Sequence, residues 1–437
     1  MAIEYFKQAL VIYEQLNDRR KLAAIHSQLG REYFSSGNRE VIDEKKAVAH
    51  LHQAREILES LPESPALGLV YCGLGRVYTP LLDPNQSIVW ATKAMAAGER
   101  LRHPAVVANA CTGLGSAYAL TGDVVQGLSY LEQAWEIASK HELAFPADFT
   151  RSLGVRICGV WLKNPRAGIA WAERKPVYQT KNDLLVFRSA LIGVYALLGL
   201  FNEAEAVLKE YWDKLEESDK TAESVLHAEE GMLFARMGRL SEAERGLRNG
   251  IEWSTHNQHL LIGASSKMQL GRLYLDQGSL PEADQCLRDS LSGFRRGDNK
   301  LPQAGVLAAL IRLFVVVGDL PQAVKCASEM NAIRPPGDLW QGGTGEVALA
   351  TAVIQSALGD AGATDSSFRQ AVAINERYEL PWDEGEAYFL WATHLLQRQG
   401  SPDKERAREY FGRAPDLWNA LGSARHAAAC AEQMAGL

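Results

Sequence analysis

The sequence predicts an all-α protein, an α-solenoid built of tandem antiparallel helix pairs. Two observations support this prediction: a motif recurs about every 40 residues, and apolar positions within each copy recur at intervals of three and four residues, the period of a helix. A chain of 437 residues would otherwise divide into two or three compact domains, whereas a repeat lets one architecture grow. We therefore expect residues 1–437 to form a single solenoid of about ten helix pairs.

One helix of each repeat is marked by a small residue that is followed four positions later by a larger apolar residue. The small residues recur at spacings of 37 to 45 residues, which argues against coincidence. They are Ala2, Ala47, Ser87, Gly127, Ala167, Ala204, Ala243, Ala283, Ala323, Thr364 and Ala407.

The other helix of most repeats carries a leucine–glycine step, or a weaker copy such as Leu310-Ile311, with an aromatic residue three positions on and a terminal glycine. Leu270, Gly271, Tyr274 and Gly278 form a clear copy. The first glycine allows the next helix to approach closely, the aromatic ring fills the remaining gap, and the terminal glycine suits the left-handed conformation that ends a helix. Neither helix can bury its apolar face alone, so neighbouring pairs must stack.

These positions resemble tetratricopeptide (TPR) repeats over nearly the whole chain, most clearly at 264–290, 225–250 and 108–134. The period exceeds the usual value of about 34 residues and the closing proline is missing. In this respect the chain resembles the C-terminal sensor regions of bacterial signalling ATPases and MalT-like transcriptional regulators. HEAT and armadillo repeats are the alternative fold, since their periods are also near 40 residues. They do not require the glycine–aromatic–glycine spacing, and only the unit at 149–176 is too degenerate to assign.

The two ends of the chain are predicted to differ. Met1 falls one residue before a small position, so the chain opens in the middle of a repeat. Ile3, Phe6, Leu10 and Tyr13 then form an apolar stripe without a preceding helix. We expect an upstream effector domain or a docking partner to cover it. Residues 423–434 are predicted to form a short alanine-rich helix that caps the other end.

The segment 334–345 contains two prolines and four glycines around Trp340. We expect it to be non-helical and to act as a break or contact loop within the solenoid. A tolerated surface insertion is the alternative, because lengthening a loop costs little free energy.

Composition narrows the classes of partner and the location. The formal charge of −7 disfavours a surface that wraps nucleic acid or coats an anionic membrane. The strongly apolar run at 307–317 is interrupted by Arg312 and is too short to span a bilayer. The N-terminus lacks a secretory signal, so we expect a cytoplasmic protein with no nucleic acid and no membrane as partner.

The sequence offers no catalytic constellation, and we expect a protein that is not an enzyme and binds no cofactor. The six cysteines include no CxxC pair, which indicates core residues rather than disulfides or a zinc site. His256 and His259 share a helical spacing but lack companion ligands, and zinc requires three or four.

Arginine recurs immediately after the packing glycine, or at the equivalent position, in four units: Arg31, Arg76, Arg272 and Arg312. In the resembled family this position faces the concave groove of the superhelix, so these residues are candidate contacts for a partner, together with Met232 and His394 at the same position of other units. Guanidinium groups bind carboxylates in bidentate fashion. The alternative is that arginine simply favours helices and lays its stem over apolar neighbours.

The sequence thus favours a non-catalytic protein–protein interaction scaffold that holds a partner segment bearing acidic residues, as part of a larger regulatory protein. The alternative is a regulatory module that senses a small anionic or sugar ligand for a signalling ATPase or a transcriptional regulator. Fold alone does not separate the two.

Overall fold

The computed structural model describes residues 2–35, 43–175, 181–214, 220–257, 259–335, 337, 339–398 and 401–435. Within these residues it contains 22 α-helices, one π-helical segment and no strand, which confirms the predicted all-α class.

The helices run in chain order as follows: α1 (Ala2–Gln15), α2 (Arg19–Ser35), α3 (Glu44–Glu59), α4 (Pro65–Tyr78), α5 (Pro84–Arg100), α6 (Pro104–Thr121), α7 (Val124–Lys140), α8 (Ala144–Gly154), the π-helical segment (Val155–Trp161), α9 (Pro165–Ala172), α10 (Lys181–Leu197), α11 (Phe201–Lys214), α12 (Lys220–Arg236), α13 (Leu240–Asn257), α14 (Leu260–Gln277), α15 (Leu280–Arg296), α16 (Lys300–Val317), α17 (Leu320–Ile333), α18 (Gly343–Ala357), α19 (Ala361–Arg377), α20 (Pro381–Arg398), α21 (Ser401–Ala420) and α22 (Ala424–Ala435).

Each even-numbered helix from α2 to α20 packs against the odd-numbered helix that follows it, which makes ten pairs in the described part of the chain. All eleven small residues of the motif fall on odd-numbered helices, and nine of them are buried. The exceptions are Ala2, which is exposed, and Ala167, which is half-buried. The terminal helix predicted from Ser423 is present as α22.

The packing role of the glycines is confirmed at the contact between α14 and α15. A Cβ atom added at Gly271 would lie 2.7 Å from Leu287 Cγ and 3.3 Å from the carbonyl oxygen of Ala283. Gly278 ends α14 at φ +76°, the left-handed conformation that the sequence predicts.

An acidic residue begins many of the second helices. Asp43, Asp83, Asp123, Asp319 and Asp360 each accept a hydrogen bond from the backbone N–H three residues on. Such a cap satisfies one of the four N–H groups that a helix leaves unpaired at its start. These caps fix where each second helix begins, and so help to keep the repeat in register.

The degenerate unit at 149–176 has a physical explanation in the π-helical segment. This segment continues α8 and displaces the register, so that Gly168 rather than Ala167 packs closely against the preceding helix. A Cβ atom at Gly168 would lie 2.7 Å from the Cα atom of Gly159. The unit therefore keeps the close helix contact but places it one residue later than in the other units.

Contacts between elements five pairs apart show that the solenoid completes one superhelical turn in about five pairs. Leu261 N donates to the carbonyl of Pro80 at 2.9 Å, which joins the start of α14 to the end of α4. Helices α6 and α16 are also in contact. Further along, Ser423 Oγ donates to the carbonyl of Arg236 at 2.9 Å. Successive turns therefore touch directly.

Of the predicted segment 334–345, residues 336 and 338 lie outside the described residues, and residues 339–345 lie at one of these contacts between turns. Gly343 N donates to Leu162 O at 3.2 Å, and Asn164 Nδ2 donates to Gln341 Oε1 at 2.8 Å. Trp340 is fully buried. The expectation that the whole segment is non-helical is wrong at its end, because α18 begins at Gly343. Gly342 permits close approach to the loop at 162–164, because an added Cβ atom would overlap the carbonyl oxygen of Lys163.

The N-terminal helix exposes an apolar face, but a different face from the predicted stripe. Ile3 is buried, and Phe6, Leu10 and Tyr13 are half-buried against the following helices. The exposed side chains are Tyr5, Val11, Ile12 and Leu16. The stripe at Phe6 and Leu10 is thus an internal contact with the following unit.

Helix α16 is long and apolar enough to cross a membrane by length and composition, the one such helix among the described residues. Its most apolar window is 61% buried by the helices around it, which is typical of a core helix. Arg312 lies within it. Five of the six cysteines are buried and the sixth, Cys286, is half-buried, as expected for core residues.

We predict that the packing glycine is essential to the helix contact. Gly271→Ala should lower the free energy of unfolding by about 1–3 kcal/mol, because the new methyl group overlaps Leu287. The matched control is Gly412→Ala on α21, where no atom lies within 4 Å of the added Cβ. This change should raise stability by about 0.5–1 kcal/mol. Urea midpoints followed by circular dichroism measure both; shifts of the same sign would contradict the packing model.

We also predict that the terminal helix α1 is less stable than the internal helix α16. Its amides should exchange hydrogen faster than those of α16, since α1 has one buried residue and α16 has eleven. Phe6→Ser should accelerate exchange in α1 further, whereas Tyr5→Ser should not, because Tyr5 is 64% exposed. Hydrogen exchange with mass spectrometry resolves the two helices, and slow exchange throughout α1 would refute this prediction.

Candidate functional site

The inner face of the superhelix encloses a cavity of about 160 Å³. We call it the central cavity. Its wall combines residues of the π-helical segment with residues of the first helices α10, α12, α14, α16, α18 and α20. Met232, Leu273 and Leu349 contribute apolar surface, and a set of charged side chains contributes the rest. Over this part of the chain the expected open concave groove is thus narrowed to a partly open cavity.

Four cations and four carboxylates line the central cavity. They are Lys163, Arg236, Arg272 and Arg312, with Asp276, Glu346, Asp383 and Glu386. The formal charge of the wall is thus balanced when all eight groups are ionised.

Lys163 connects three elements of this network. It lies in the loop after the π-helical segment, and its Nζ lies 2.7 Å from Asp383 Oδ1 and 3.3 Å from Glu346 Oε2. Asp383 also accepts a hydrogen bond from Arg236 Nη2 at 3.2 Å. These contacts join one superhelical turn to the next, over 220 residues of sequence.

Two of the predicted arginines are paired with carboxylates of the chain itself. Arg272 donates to Glu346 and to the carbonyl of Gly305, the latter at 2.9 Å. Arg312 Nη1 lies 2.6 Å from Glu386 Oε1, and its Nη2 lies 3.7 Å from Asp276 Oδ1. Both arginines line the central cavity, but they do not form the unpaired ladder that the sequence suggested.

The network shifts the titration of its carboxyl groups in opposite directions. Burial alone raises the pKa of Asp383, but the charges of Lys163 and Arg236 outweigh it and hold that pKa well below its usual range. Burial dominates at Asp276, where it raises the pKa to about 6 because the Arg312 charge compensates only in part.

Arg76 has a different environment, although it occupies the same position in its repeat. Its guanidinium lies over the rings of Phe149, Phe145 and Phe34, at 4.8, 5.2 and 5.6 Å from the ring centroids. Its buried Nε has no hydrogen-bond partner, and no carboxylate of a described residue forms an ion pair with it. We call Arg76 and these three phenylalanines the Arg76 cluster.

The surroundings of the Arg76 cluster are basic and apolar. Burial lowers the pKa of Arg76 to about 10, with a smaller contribution in the same direction from the nearby positive charge of Arg31. Arg31 is exposed on α2. Leu69, two turns before Arg76 on α4, is 46% exposed, and Phe145 is 42% exposed. A carboxylate placed here would gain charge-assisted hydrogen bonds beside an apolar surface.

The remaining two predicted contacts lie in different places. Met232 on α12 lines the central cavity. His394 on α20 is buried and is not part of the cavity wall. It shares a hydrogen bond with Ser356, and burial lowers the pKa of its imidazole. His394 thus packs between helices, which differs from the expected position on the groove.

Sequence reasoning missed Lys163, Arg236, Asp383 and the other carboxylates of the central cavity. One signal could have identified Asp276, because it lies four residues after Arg272 and so shares its helical face. No such signal exists for Lys163, whose partners are remote in sequence. Among the described residues, no group of three histidine, cysteine, aspartate or glutamate side chains could hold a metal ion.

We predict that Asp383 stabilises the fold across the turns. Asp383→Asn should lower the free energy of unfolding at pH 7 by about 3 kcal/mol, because Lys163 and Arg236 lose a buried counter-charge. The folded pKa of Asp383 lies below its unfolded value near 3.8, so the stabilisation is complete above that pH and is lost as the pH falls through the folded value.

The difference from wild type should therefore narrow only in acid. Urea unfolding between about pH 7 and pH 3 measures it. The control is Asp284→Asn on α15, which removes an exposed i, i+4 pair with Arg288 and should cost less than about 0.5 kcal/mol. Equal effects of the two substitutions would contradict a role in joining turns.

Comparison with known proteins identifies similar structures but no family. No family model matches the chain, and no curated protein is significantly similar to it. A human IFIT1 dimer with PPP-AAAA is 12% identical over 94% of this chain and 88% of that chain, at a TM-score of 0.46. A Rap protein complexed with competence and sporulation factor is 11% identical over 93% and 99%, at 0.49. The APC/C hetero-tetramer Cut9–Hcn1 is 12% identical over 96% and 92%, at 0.34. At these TM-scores the likeness carries no inference about ligands, and the fold assignment rests on the helices of this chain.

Proposed function

We propose that the protein is a non-catalytic interaction module that binds an extended partner segment with acidic residues at the Arg76 cluster. The observation that carries this proposal is the contrast between equivalent arginines. Arg272 and Arg312 are neutralised within the chain, whereas Arg76 is not paired with a carboxylate of any described residue. A buried guanidinium nitrogen without an acceptor is costly, and a partner's carboxylate would supply one.

The chemistry of the partner follows from the neighbouring side chains. Arg31 adds a second positive charge, and Leu69 and Phe145 add exposed apolar surface. An apolar residue flanked by acidic residues would therefore complement this surface. The cytoplasmic location and the absence of nucleic-acid partners remain predictions, as does a second contact surface on α1.

A ligand-sensing module is the second candidate function, because the central cavity is a partly open, charged site between two superhelical turns. A ligand bound there would contact both turns at once and could alter how they pack. The resemblance to sensor regions of signalling ATPases and MalT-like regulators belongs to this proposal.

We predict that Arg76 dominates binding of acidic segments. On arrays of nine-residue peptides that carry one apolar residue between acidic ones, Arg76→Ala should weaken binding about tenfold or more. Arg76→Lys should restore it only in part, since lysine keeps the charge but loses the planar fork. Added salt should weaken the wild-type complex.

Matched controls separate binding from stability. Arg288→Ala removes an arginine that also lies over a phenylalanine, 5.2 Å from the Phe314 ring centroid, but that is paired with Asp284 within α15. It should leave peptide binding unchanged. Arg272→Ala should lower the unfolding midpoint rather than the affinity. Unchanged affinity of Arg76→Ala, or tighter binding of an oligoadenylate than of any acidic peptide, would overturn the proposal.

A further inference from the structure

The central cavity contains two buried donor groups that the chain does not satisfy. Arg236 Nη1 and Trp382 Nε1 both lack a hydrogen-bond partner, and both residues line the cavity. They are neighbours, since the Arg236 guanidinium lies 5.0 Å from the Trp382 ring centroid. Buried donors without an acceptor are rare in proteins and require an explanation. One of the two is charged, so a carboxylate is the acceptor that matches them best.

The same cavity contains an under-compensated negative group. Asp276 lines the wall, and its nearest cation is Arg312 Nη2, at 3.7 Å, beyond hydrogen-bond distance. Arg312 directs its other terminal nitrogen to Glu386 at 2.6 Å. The long Arg312 contact thus leaves the Asp276 carboxylate without a hydrogen-bonded cation among the described residues, and desolvation by its surroundings raises its pKa to about 6. An ammonium group would provide that charge.

The charge balance of the wall excludes a simple anion as the best occupant. Its four cations and four carboxylates already cancel, so an added anion would leave a net charge in a poorly solvated site. A zwitterion adds no net charge. The wall also includes Met232, Leu273 and Leu349, which can contact an aliphatic group.

We propose that the central cavity binds a small zwitterion of the amino-acid class, with its carboxylate on Arg236 and Trp382, its ammonium on Asp276 and a short aliphatic side chain against the apolar wall. The cavity volume of about 160 Å³ limits the ligand to roughly the size of a valine or leucine, as a cavity of about 150 Å³ holds benzene. This site would serve the second candidate function, the ligand-sensing module. Only the biological purpose of the site rests on that proposed function, whereas binding at the cavity does not.

Calorimetry on the full chain tests the site with L-valine and two analogues that each lack one charged group: isovalerate lacks the ammonium and isobutylamine lacks the carboxylate. L-valine should bind at least about tenfold more tightly than either analogue, because each loses one charge-assisted contact. L-tryptophan should not bind, since it exceeds the volume. Equal binding of isovalerate and L-valine would overturn the proposal that the ligand is a zwitterion. If none of these compounds bound, the proposed site itself would be overturned.

Two substitutions assign the contacts. Trp382→Phe removes the unsatisfied N–H and keeps an aromatic ring beside Arg236. It should weaken the binding of L-valine about fivefold. The matched control is Trp90→Phe, which removes a buried, equally unsatisfied Nε1 in the N-terminal core and should leave affinity unchanged. Asp276→Asn should weaken the binding of L-valine about tenfold but leave the binding of isovalerate nearly unchanged.

Equal effects of Trp382→Phe and Trp90→Phe would contradict the carboxylate contact, and equal loss of both ligands in Asp276→Asn would contradict the ammonium contact.

The sensing role is measured separately, as a change in hydrogen exchange at 162–164 and in α18 on addition of L-valine. Binding without such a change would retain the site and reject the sensing function. Failure of L-valine to bind the wild-type chain would reject the site itself.

Discussion

The close approach of the two helices of a pair, which a packing glycine permits in several repeats, determines the geometry of the whole molecule. At Gly271 the neighbouring helix is so near that a single methyl group would overlap Leu287, and Gly30, Gly115 and Gly231 are placed in the same way. Because the same contact recurs, each pair takes a similar orientation relative to the next, and a small rotation is repeated along the chain. About five such rotations complete a turn, which brings Pro80 to Leu261 and the loop at 162–164 to α18. If this contact differed from pair to pair, successive superhelical turns would not come into contact.

The closed turn explains the charged network at the centre. Side chains that would face open solvent in a wider superhelix here face the opposite wall, so each must find a partner. Lys163 has two carboxylate partners, Glu346 on α18 and Asp383 on α20. Buried ion pairs add little net stability compared with apolar packing, but a misplaced partner is strongly destabilising. The network therefore specifies how one turn sits on the next, while the apolar contacts within each pair supply most of the stability.

Arg76 and Arg272 show how the same local sequence acquires two roles. Both arginines follow a Leu-Gly step and precede an apolar residue and a tyrosine, on first helices of the same kind. Arg272 lies where the turns meet and pairs with Glu346. Arg76 belongs to the N-terminal turn, where α8 presents Phe145 and Phe149 instead of a carboxylate. The position within the superhelix, rather than the motif, decides whether the guanidinium is neutralised or available.

The sequence by itself determined the local elements: the all-α class, the helix pairs, the glycines that allow them to approach and the helix after Ser423. These depend on residues within one repeat, whose spacing of three and four positions is visible in the chain. Only the tertiary structure decided that Arg272 and Arg312 are paired, that His394 is internal and that Lys163 meets Asp383 across 220 residues. The reason is that these contacts join different repeats, from adjacent pairs for His394 and Ser356 to successive turns for Lys163 and Asp383, and no pattern within a single repeat encodes how the repeats are arranged.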